Sequence, residues 1–480
     1  MARKIGKSMF VCAMALSIAV LSGTATATDS NWIKTSSSTW HTVANWDLGI
    51  PNAVGDIARF PNILASSTFV TVDADATIGE MYIVEDSCKY QFQGDISGRK
   101  LIMDNGVSTA LIDYAITGQD AYFLPTLKIV MGSDLDIKNS SPAKRLCIQG
   151  GIDGSTAGTD GRTLTLDTGT SQILQQTTAI TGGSAADPLA VVVKGNNKTG
   201  WLQLAASSDF WGSWEFQGSR TYFTSDAHLG DPNNDLTFNG GALLVDNTIT
   251  LGAKRTVTMT GAGTLNVYPG RTLTLGTAGQ LTGAGTLTKS NLGILEITAD
   301  MTGFTGNVNV TGGLLNVNGI TSEQGNYVVS DGAALGGTGT IGLAADMSVT
   351  VDLNARLAPG NSADTLTVDG NMIFSDGAIY DWQYDIGVAD LVDVNGVLTL
   401  GTIATVNVQQ LNGASLPGTL TLFTADALAG ATSLSGWTVN GLPGYTAAID
   451  GNNVILLPEP ATMAILAFGI CAVLRRRRNR

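Results

Sequence analysis

Gly261-Ala262-Gly263-Thr264-Leu265 recurs 22 residues later as Gly283-Ala284-Gly285-Thr286-Leu287, and Gly337-Thr338-Gly339-Thr340-Ile341 is a third copy. Each copy leads into a short segment in which apolar and polar residues alternate, the pattern of a half-buried strand. A repeat of about 20 residues with three short strands cannot bury its apolar face alone, so successive units must stack. The repeat therefore predicts a right-handed parallel β-helix, with glycine where the backbone turns between faces.

The same alternation continues over most of the chain, from about residue 66 to residue 456. Examples are Thr68–Val72, Thr163–Leu166, Thr272–Leu275 and Asn307–Val310. Glycine contributes 59 of 480 residues and charged residues only 14%, a composition typical of many short strands joined by tight turns. Few segments show helical periodicity over three turns, so the predicted class is all-β.

A longer internal match joins residues 200–224 to residues 293–317. In this match Leu202 corresponds to Leu295, and Trp214 corresponds to Val308. The match is further evidence that one structural unit recurs along the chain.

Parts of the body resemble the autotransporter-associated β-strand repeat. Residues 283–319 and 229–243 carry the resemblance, and the elements Leu357–Ser362 and Asp390–Gly396 commonly follow such repeats. The segment from Trp40 through Trp46 to Asp56 resembles the opening module of similar surface proteins. The resemblance implies an exported β-helical protein at the cell surface.

The N-terminus carries the pattern of a secretory signal peptide. Arg3, Lys4 and Lys7 precede an apolar stretch from residue 9 to residue 21, and small residues follow it. Ala25 and Ala27 form the predicted cleavage site before Thr28. The pattern predicts passage through the secretion translocon and removal of residues 1–27.

The C-terminus combines Pro458-Glu459-Pro460, an apolar run from Ala461 to Leu474, and a basic end. The apolar run would enter the membrane, and the arginines would hold its end on the cytoplasmic side. These residues resemble the PEP-CTERM sorting domain, which implies handling by a membrane-embedded exosortase. An ordinary single-span tail anchor is the alternative. The predicted anchor residues are Ala461, Leu466, Phe468, Leu474, Arg475, Arg476, Arg477 and Arg478.

These features predict five regions along the chain. They are a signal peptide (1–27), a Trp-rich N-terminal cap (28–65), β-helix repeats (66–380), a β-rich C-terminal cap (381–457) and the sorting tail with one hydrophobic helix (458–480). Residues 85–160 match the repeat pattern least, which leaves room for an insertion there.

Charge limits the possible partners. Residues 1–27 and 458–480 hold 8 of the 26 basic and 1 of the 40 acidic residues, so the body between them has a formal net charge of −21. A body of this charge is repelled by nucleic acid and by anionic membrane surfaces. We therefore expect no nucleic-acid partner and regard an extracellular polysaccharide as a candidate ligand.

Few residues indicate catalysis or metal binding. Only two histidines occur, His41 and His228, and Asp231–Asp235 begins like a calcium loop but lacks its later ligands. Gly337–Gly342 matches a dinucleotide motif but lies among predicted strands. Three close carboxylate pairs could serve acid–base chemistry on a solenoid face: Asp73 and Asp75, Asp134 and Asp136, Asp390 and Asp393. We expect no catalytic, metal or cofactor site.

The densest aromatic cluster allows two interpretations, a carbohydrate-stacking strip or core packing between coils, and core packing is favoured. Its members are Trp201, Phe210, Trp211, Trp214, Phe216, Tyr222 and Phe223. Cys88 and Cys147 could form a disulfide or remain buried thiols. The sequence thus predicts a non-enzymatic exported adhesion or matrix protein. The alternative is a secreted β-helical polysaccharide lyase or glycoside hydrolase.

Overall fold

The computed structural model describes residues 26–155, 161–169, 173–176, 178–196, 200–360, 362–413 and 418–458. In these residues the chain forms an all-β parallel solenoid of about 15 coils. Two short 3₁₀ turns, Val43–Asn45 and Asp226–Leu229, are its helical elements within the described part of the chain. The sequence prediction of a parallel β-helix is confirmed at this level.

The first third of the chain forms seventeen of the strands that the structure describes. They are β1 (Asp29–Asn31), β2 (Ser38–Thr39), β3 (Ile57–Phe60), β4 (Thr68–Val72), β5 (Ala76–Ile78), β6 (Glu80–Ile83), β7 (Tyr90–Gly94), β8 (Arg99–Met103), β9 (Ala110–Tyr114), β10 (Ala121–Phe123), β11 (Leu127–Met131), β12 (Leu135–Asn139), β13 (Leu146–Ile148), β14 (Ile152–Asp153), β15 (Arg162–Asp167), β16 (Ile173–Gln176) and β17 (Ile180–Thr181). The stretch 85–160, where an insertion was considered, carries strands of the same coils as far as residue 155.

The middle third continues the same arrangement. Its strands are β18 (Leu189–Lys194), β19 (Trp201–Leu204), β20 (Gly212–Gln217), β21 (Arg220–Phe223), β22 (Asp235–Phe238), β23 (Ala242–Val245), β24 (Ile249–Thr250), β25 (Val257–Met259), β26 (Gly263–Val267), β27 (Thr272–Leu275), β28 (Leu281–Gly283), β29 (Leu287–Ser290), β30 (Ile294–Ile297), β31 (Val308–Val310) and β32 (Gly313–Val317).

The last third contains the longest strands. They follow as β33 (Tyr327–Val329), β34 (Ala333–Gly337), β35 (Thr340–Gly342), β36 (Ser348–Val351), β37 (Arg356–Pro359), β38 (Thr365–Asp369), β39 (Asn371–Phe374), β40 (Ala378–Asp385), β41 (Val388–Ala389), β42 (Leu391–Leu400), β43 (Ile403–Gln410), β44 (Leu420–Gly430), β45 (Gly436–Asn440), β46 (Tyr445–Asp450) and β47 (Asn453–Pro458).

The strands stack into long parallel sheets along the solenoid. Sheet I runs from β1 to β28, and sheet II follows the molecule from β2 to the last coils. The third side is formed by sheet III, from β5 to β17, and later by sheet IV, from β24 to β45. Near the C-terminus β47 pairs antiparallel with both β44 and β46, which changes the pattern of the final coil.

The core is a set of columns in which one inward side chain lies on the next. Period-two alternation directs every second residue inward, so in-register parallel pairing aligns these residues along the axis. One column of sheet I joins nine buried residues: Ala58, Met81, Ile112, Ile137, Leu166, Val193, Phe216, Phe238 and Met259.

Three tryptophans close the N-terminal end of this core. Trp32, Trp40 and Trp46 are at most 4% exposed and pack around Phe60, with ring centroids 5.7–6.0 Å from it. Each indole N–H donates to a backbone carbonyl, so the buried polar edge is satisfied. The apolar faces of the first coil are therefore covered.

The residues that pair between stacked repeats are not the ones that the sequence alignment of the repeats matches. Leu265 pairs with Lys289 and Thr264 pairs with Thr288, an offset of 24 residues, whereas the sequence copies are 22 residues apart. A shift of two residues leaves every side chain on its original face. The longer sequence match does not correspond to structural equivalence, because Leu202 lies in sheet II and Leu295 lies in sheet IV.

This register places a lysine in the core. Lys289 is buried, and its Nζ donates hydrogen bonds to the carbonyls of Ser290, Asn291 and Gly312 at 3.2, 2.8 and 2.8 Å. Burial lowers the pKa of Lys289 to about 8. The ammonium group thus links two successive coils through their backbone.

Candidate functional site

The two carboxyl groups of the first pair accept hydrogen bonds from residues in different coils. Asp73 Oδ1 accepts the backbone N–H of His41 at 3.0 Å and lies 2.9 Å from the ring Nδ1 of the same residue. Burial acts to raise the pKa of Asp73, but the hydrogen bonds from His41 outweigh it and the pKa is lowered. Asp75 instead accepts the backbone N–H of Lys100 at 3.1 Å. The two carboxyl groups hold the backbone of different coils.

The second pair lies at the start of β12. Asp134 is exposed and accepts the backbone N–H of Thr163 at 2.9 Å, which again links two coils. Asp136 lies within β12 and is partly exposed. A structural hydrogen bond accounts for the position of Asp134.

The third pair does not share a face. Asp390 is fully buried, and its carboxyl accepts the backbone N–H groups of Asp364 at 3.1 Å and Gln383 at 2.7 Å. Burial raises the pKa of Asp390 to about 7, against the effect of these two hydrogen bonds. Asp393 is partly exposed on β42 and accepts a hydrogen bond from the Thr424 hydroxyl. The pair therefore cannot act together on one substrate.

The segment considered as a calcium loop is a turn stabilised from within. Asp231 Oδ1 accepts the backbone N–H of Asn233 at 2.9 Å, and the buried Asn234 amide donates to the Phe210 carbonyl at 2.9 Å. The guanidinium of Arg255 donates to the Asp231 carbonyl at 2.8 Å. In the part of the chain that the structure describes, no group of three His, Cys, Asp or Glu side chains is placed to bind a metal ion.

The glycine-rich segment lies between strands. Strand β34 ends at Gly337 and β35 spans Thr340–Gly342, so the helix that a dinucleotide site requires does not follow it. His228 is buried, and burial lowers the pKa of its ring.

Cys88 and Cys147, both among the described residues, are not joined in a disulfide. Cys147 is buried on β13, and burial raises its pKa to about 11, which keeps the thiol protonated at neutral pH. Cys88 is partly buried.

The aromatic cluster is divided between the inside and the outside of the solenoid. Phe210, Trp214, Phe216 and Phe223 are fully buried in the core. Trp201, Trp211 and Tyr222 are partly exposed. Core packing therefore describes the four buried residues, and three rings remain accessible to solvent.

The outward members form a patch with a tyrosine from a later coil. The ring centroid of Tyr222 on β21 lies 6.1 Å from that of Trp201 on β19 and 6.3 Å from that of Tyr268, which follows β26. Strand β23 lies between β21 and β26, so the two tyrosine rings lean over it. Leu244 on β23 pairs with Tyr222 and is only 4% exposed.

Polar groups adjoin these rings. The Tyr222 hydroxyl donates to Asp246 Oδ2 at 2.9 Å, and the Arg271 guanidinium donates to Asp246 Oδ1 at 3.3 Å. Burial, and then the hydrogen bond to Asp246, raise the pKa of Tyr222, so its hydroxyl stays protonated at neutral pH. Arg271 is exposed and Asp246 is partly exposed, which leaves donors and acceptors open to solvent beside the rings.

We name the set Trp201, Tyr222, Asp246, Tyr268 and Arg271 the aromatic patch. Partly exposed rings beside a carboxylate and a guanidinium can stack on a sugar and bind its hydroxyl groups. The rings meet at 73° and 89°, so they offer separate faces and not one flat strip. Sequence inspection identified Trp201 and Tyr222 but missed the other three residues.

The predicted processing residues lie at opposite ends of the solenoid or beyond the described residues. Ala27 is exposed just before β1, and Pro458 is exposed as the last residue of β47. Ala25, Glu459, Pro460 and the anchor residues from Ala461 to Arg478 lie outside the described residues. Within the residues that the structure describes, no helix is long and apolar enough to cross a membrane.

Sequence comparison finds similarity to an adhesin. A segment of 186 residues, 38% of the chain, is 28% identical to the adhesin BmaC autotransporter of Brucella suis biovar 1 (strain 1330). The chain covers 5% of the length of that protein. No protein-family model matches the chain. The similarity agrees with the autotransporter-like repeats found in the sequence.

Proposed function

We propose that this chain is an exported, non-enzymatic surface or matrix protein that uses the side of a right-handed β-helix to bind an extracellular polysaccharide. The secretion translocon would export it, and an exosortase-type enzyme would process its PEP-CTERM tail after a transient inner-membrane stage. The parallel solenoid and the similarity to a bacterial adhesin support surface exposure and adhesion.

The aromatic patch is the observation that supports a sugar as the ligand. Three aromatic side chains from separate coils meet outside the core, and solvent-open polar groups adjoin them. Aromatic side chains with an apolar body and a polar handle suit a ligand that presents both C–H faces and hydroxyl groups. Sugars have this chemistry.

Charge narrows the class of sugar. The net charge of −21 on the body repels polyanions, so a neutral polysaccharide is the proposed ligand. Because a neutral polysaccharide carries no net charge, its binding should change little between low and physiological salt.

The test is binding of residues 28–458 to a glycan array and to neutral polysaccharide extracted from the producing cells. Trp201→Ala and Tyr268→Ala should each weaken binding about tenfold, equivalent to about 1.4 kcal/mol. Trp211→Ala is the matched control, because Trp211 is also partly exposed but has no ring contact with the patch. Equal binding by all variants, or binding only to polyanions, would exclude the patch as the site.

A further inference from the structure

The first coil contains a buried carboxylate that two backbone amides reach. Asp56 is 4% exposed, its Oδ1 accepts the backbone N–H of Thr28 at 2.7 Å, and its Oδ2 accepts the backbone N–H of Asn52 at 2.8 Å. Among the described residues, no Lys, Arg or His side chain lies within 4.0 Å of this carboxylate. Burial of a carboxylate without a positive partner is unfavourable.

The residue that approaches Asp56 is the predicted first residue of the mature chain. Thr28 directly follows Ala27, where the small-residue pattern places signal-peptide cleavage. The cleavage position comes from the sequence pattern, and the contact with Asp56 comes from the folded geometry. The two observations are independent and identify the same nitrogen atom.

We propose that Asp56 is the binding site for the α-ammonium group of the mature N-terminus, and that removal of the signal peptide completes the first coil. The proposal rests on the exported state assumed above. Hydrolysis of the Ala27–Thr28 peptide bond consumes one water molecule and leaves a carboxylate on Ala27. The Thr28 nitrogen becomes an amine, which takes up a proton at neutral pH.

The positive charge would form on the Thr28 nitrogen, which already lies 2.7 Å from Asp56 Oδ1. The Thr28 carbonyl accepts the backbone N–H of Ile57 at 2.7 Å, and Asp29 pairs with Ile57 at the start of the β1–β3 ladder. These contacts hold the main chain on the carbonyl side of Thr28 Cα. Cleavage therefore exchanges a neutral N–H donor for an ammonium donor, and charge-assisted hydrogen bonds are about twice as strong as neutral ones.

The consequence is a first coil that is weaker in the precursor than in the exported chain. A precursor that holds its N-terminal coil loosely is easier to pass through a translocon unfolded. After cleavage the ion pair would stabilise the coil beneath the tryptophans that cover this end of the core.

The experiment compares two chains that differ only before Thr28. One begins at Thr28, released from a fusion partner by a protease that leaves no extra residue. The other begins at Ser22 and keeps the six uncharged natural residues 22–27. Hydrogen exchange measured by mass spectrometry reports opening of the first coil at Asn52 and Ile57. We expect opening to be about tenfold less frequent in the chain that begins at Thr28.

An Asp56→Asn substitution in both chains tests the role of the carboxylate. The tenfold difference should disappear, while exchange in distant coils stays the same. Equal exchange in the two wild-type chains would overturn the proposal, and this comparison does not depend on whether Asp56→Asn folds. A tenfold difference that survives Asp56→Asn would overturn it as well.

Sequencing the N-terminus of the exported protein provides the cellular test. Thr28 as the first residue supports the proposal, and any other first residue overturns it. Neither result changes glycan binding by the aromatic patch, so failure of this proposal is distinguishable from failure of the proposed function.

Discussion

Asp390 makes the stability of the last coils depend on pH. Its folded-state pKa of about 7 lies above the ordinary value of 3.8. Between these values the folded chain holds a proton that the unfolded chain releases. The contribution of Asp390 to the free energy of unfolding is therefore fully present below about pH 4 and is lost as the pH rises through about 7.

Asp390→Asn should remove this pH dependence. The indole of Trp382 donates to the Asp390 carbonyl at 2.5 Å. Tryptophan fluorescence during urea unfolding measures the stability of the wild type and the variant. Between pH 5 and pH 8 the wild type should lose stability relative to the variant, because His228 and Lys289 contribute equally to both chains. Asp369→Asn changes an exposed carboxylate nearby and is the control. A difference between wild type and variant that stays constant from pH 5 to pH 8 would contradict the assignment.

Lys289 is expected to stabilise the solenoid through the carbonyl groups that it binds. Lys289→Met keeps the length of the side chain but leaves the carbonyls of Asn291 and Gly312 without this donor. The free energy of unfolding should fall by about 1–3 kcal/mol, the cost of buried unsatisfied groups. Denaturant unfolding measures this value. Lys254→Met, at an exposed position, should stay within about 0.5 kcal/mol of the wild type. An unchanged Lys289→Met protein would show that the ammonium is dispensable.

At the scale of strands, each coil depends chiefly on the two coils that it touches. Phe238 lies in the inward column of sheet I, and its ring centroid lies 4.9 Å from that of Phe216. Phe238→Ala should cost about 3–5 kcal/mol locally. Hydrogen exchange should increase in β20, β22 and β25, because solenoid energetics are dominated by nearest neighbours.

Thr237→Ala on the outward face of the same strand is the matched control and should leave exchange in these strands nearly unchanged. An equal increase in β1 and β3, about eight coils away, would show that the solenoid unfolds as one cooperative unit.

Alternation of apolar and polar residues was sufficient to predict individual strands. Two predicted segments, Thr68–Val72 and Thr272–Leu275, coincide with β4 and β27. The register between coils was not predictable in the same way, because a shift of two residues preserves the pattern and the coils differ in length. Paired residues are 19 positions apart at Val308 and Tyr327 but 31 apart at Glu80 and Leu111.

The aromatic patch could not be predicted, because its residues come from different coils and the register between coils was unknown. Tyr222, Asp246 and Tyr268 come from three successive coils, and they are close only because of the pairing between those coils. Alignment of the repeats gave a pairing that differs by two residues from the observed one at Leu265. A search for polar and aromatic residues at spacings of 22 to 24 would have brought Tyr222 and Asp246 together. Lys289 is a buried charged residue, which hydrophobic patterning does not predict. Its position in the core could be recognised only once the register between coils was known.

At the scale of the molecule, the predicted sorting motif begins at Pro458, the last residue of β47. Pro458 pairs with Tyr445, so under the proposed sorting the body would lie close to the membrane before processing. Protein recovered outside the cell should have lost its tail, and intact-mass analysis measures the loss. Glu459→Ala should reduce tail removal, whereas Asp331→Ala, an exposed acid in the body, should not. A full-length chain ending at Arg480 outside the cell would contradict sorting at this motif.

The number of coils also determines the length of the solenoid. Neighbouring strands lie about 4.8 Å apart, so about 15 coils span about 70 Å between Thr28 at one tip and Pro458 at the other. If the tail holds the chain in the bilayer, as proposed, such a spacer would carry the tryptophan-covered tip beyond the lipid headgroups. Deleting or duplicating whole coils would shorten or lengthen this standoff in steps of one strand spacing.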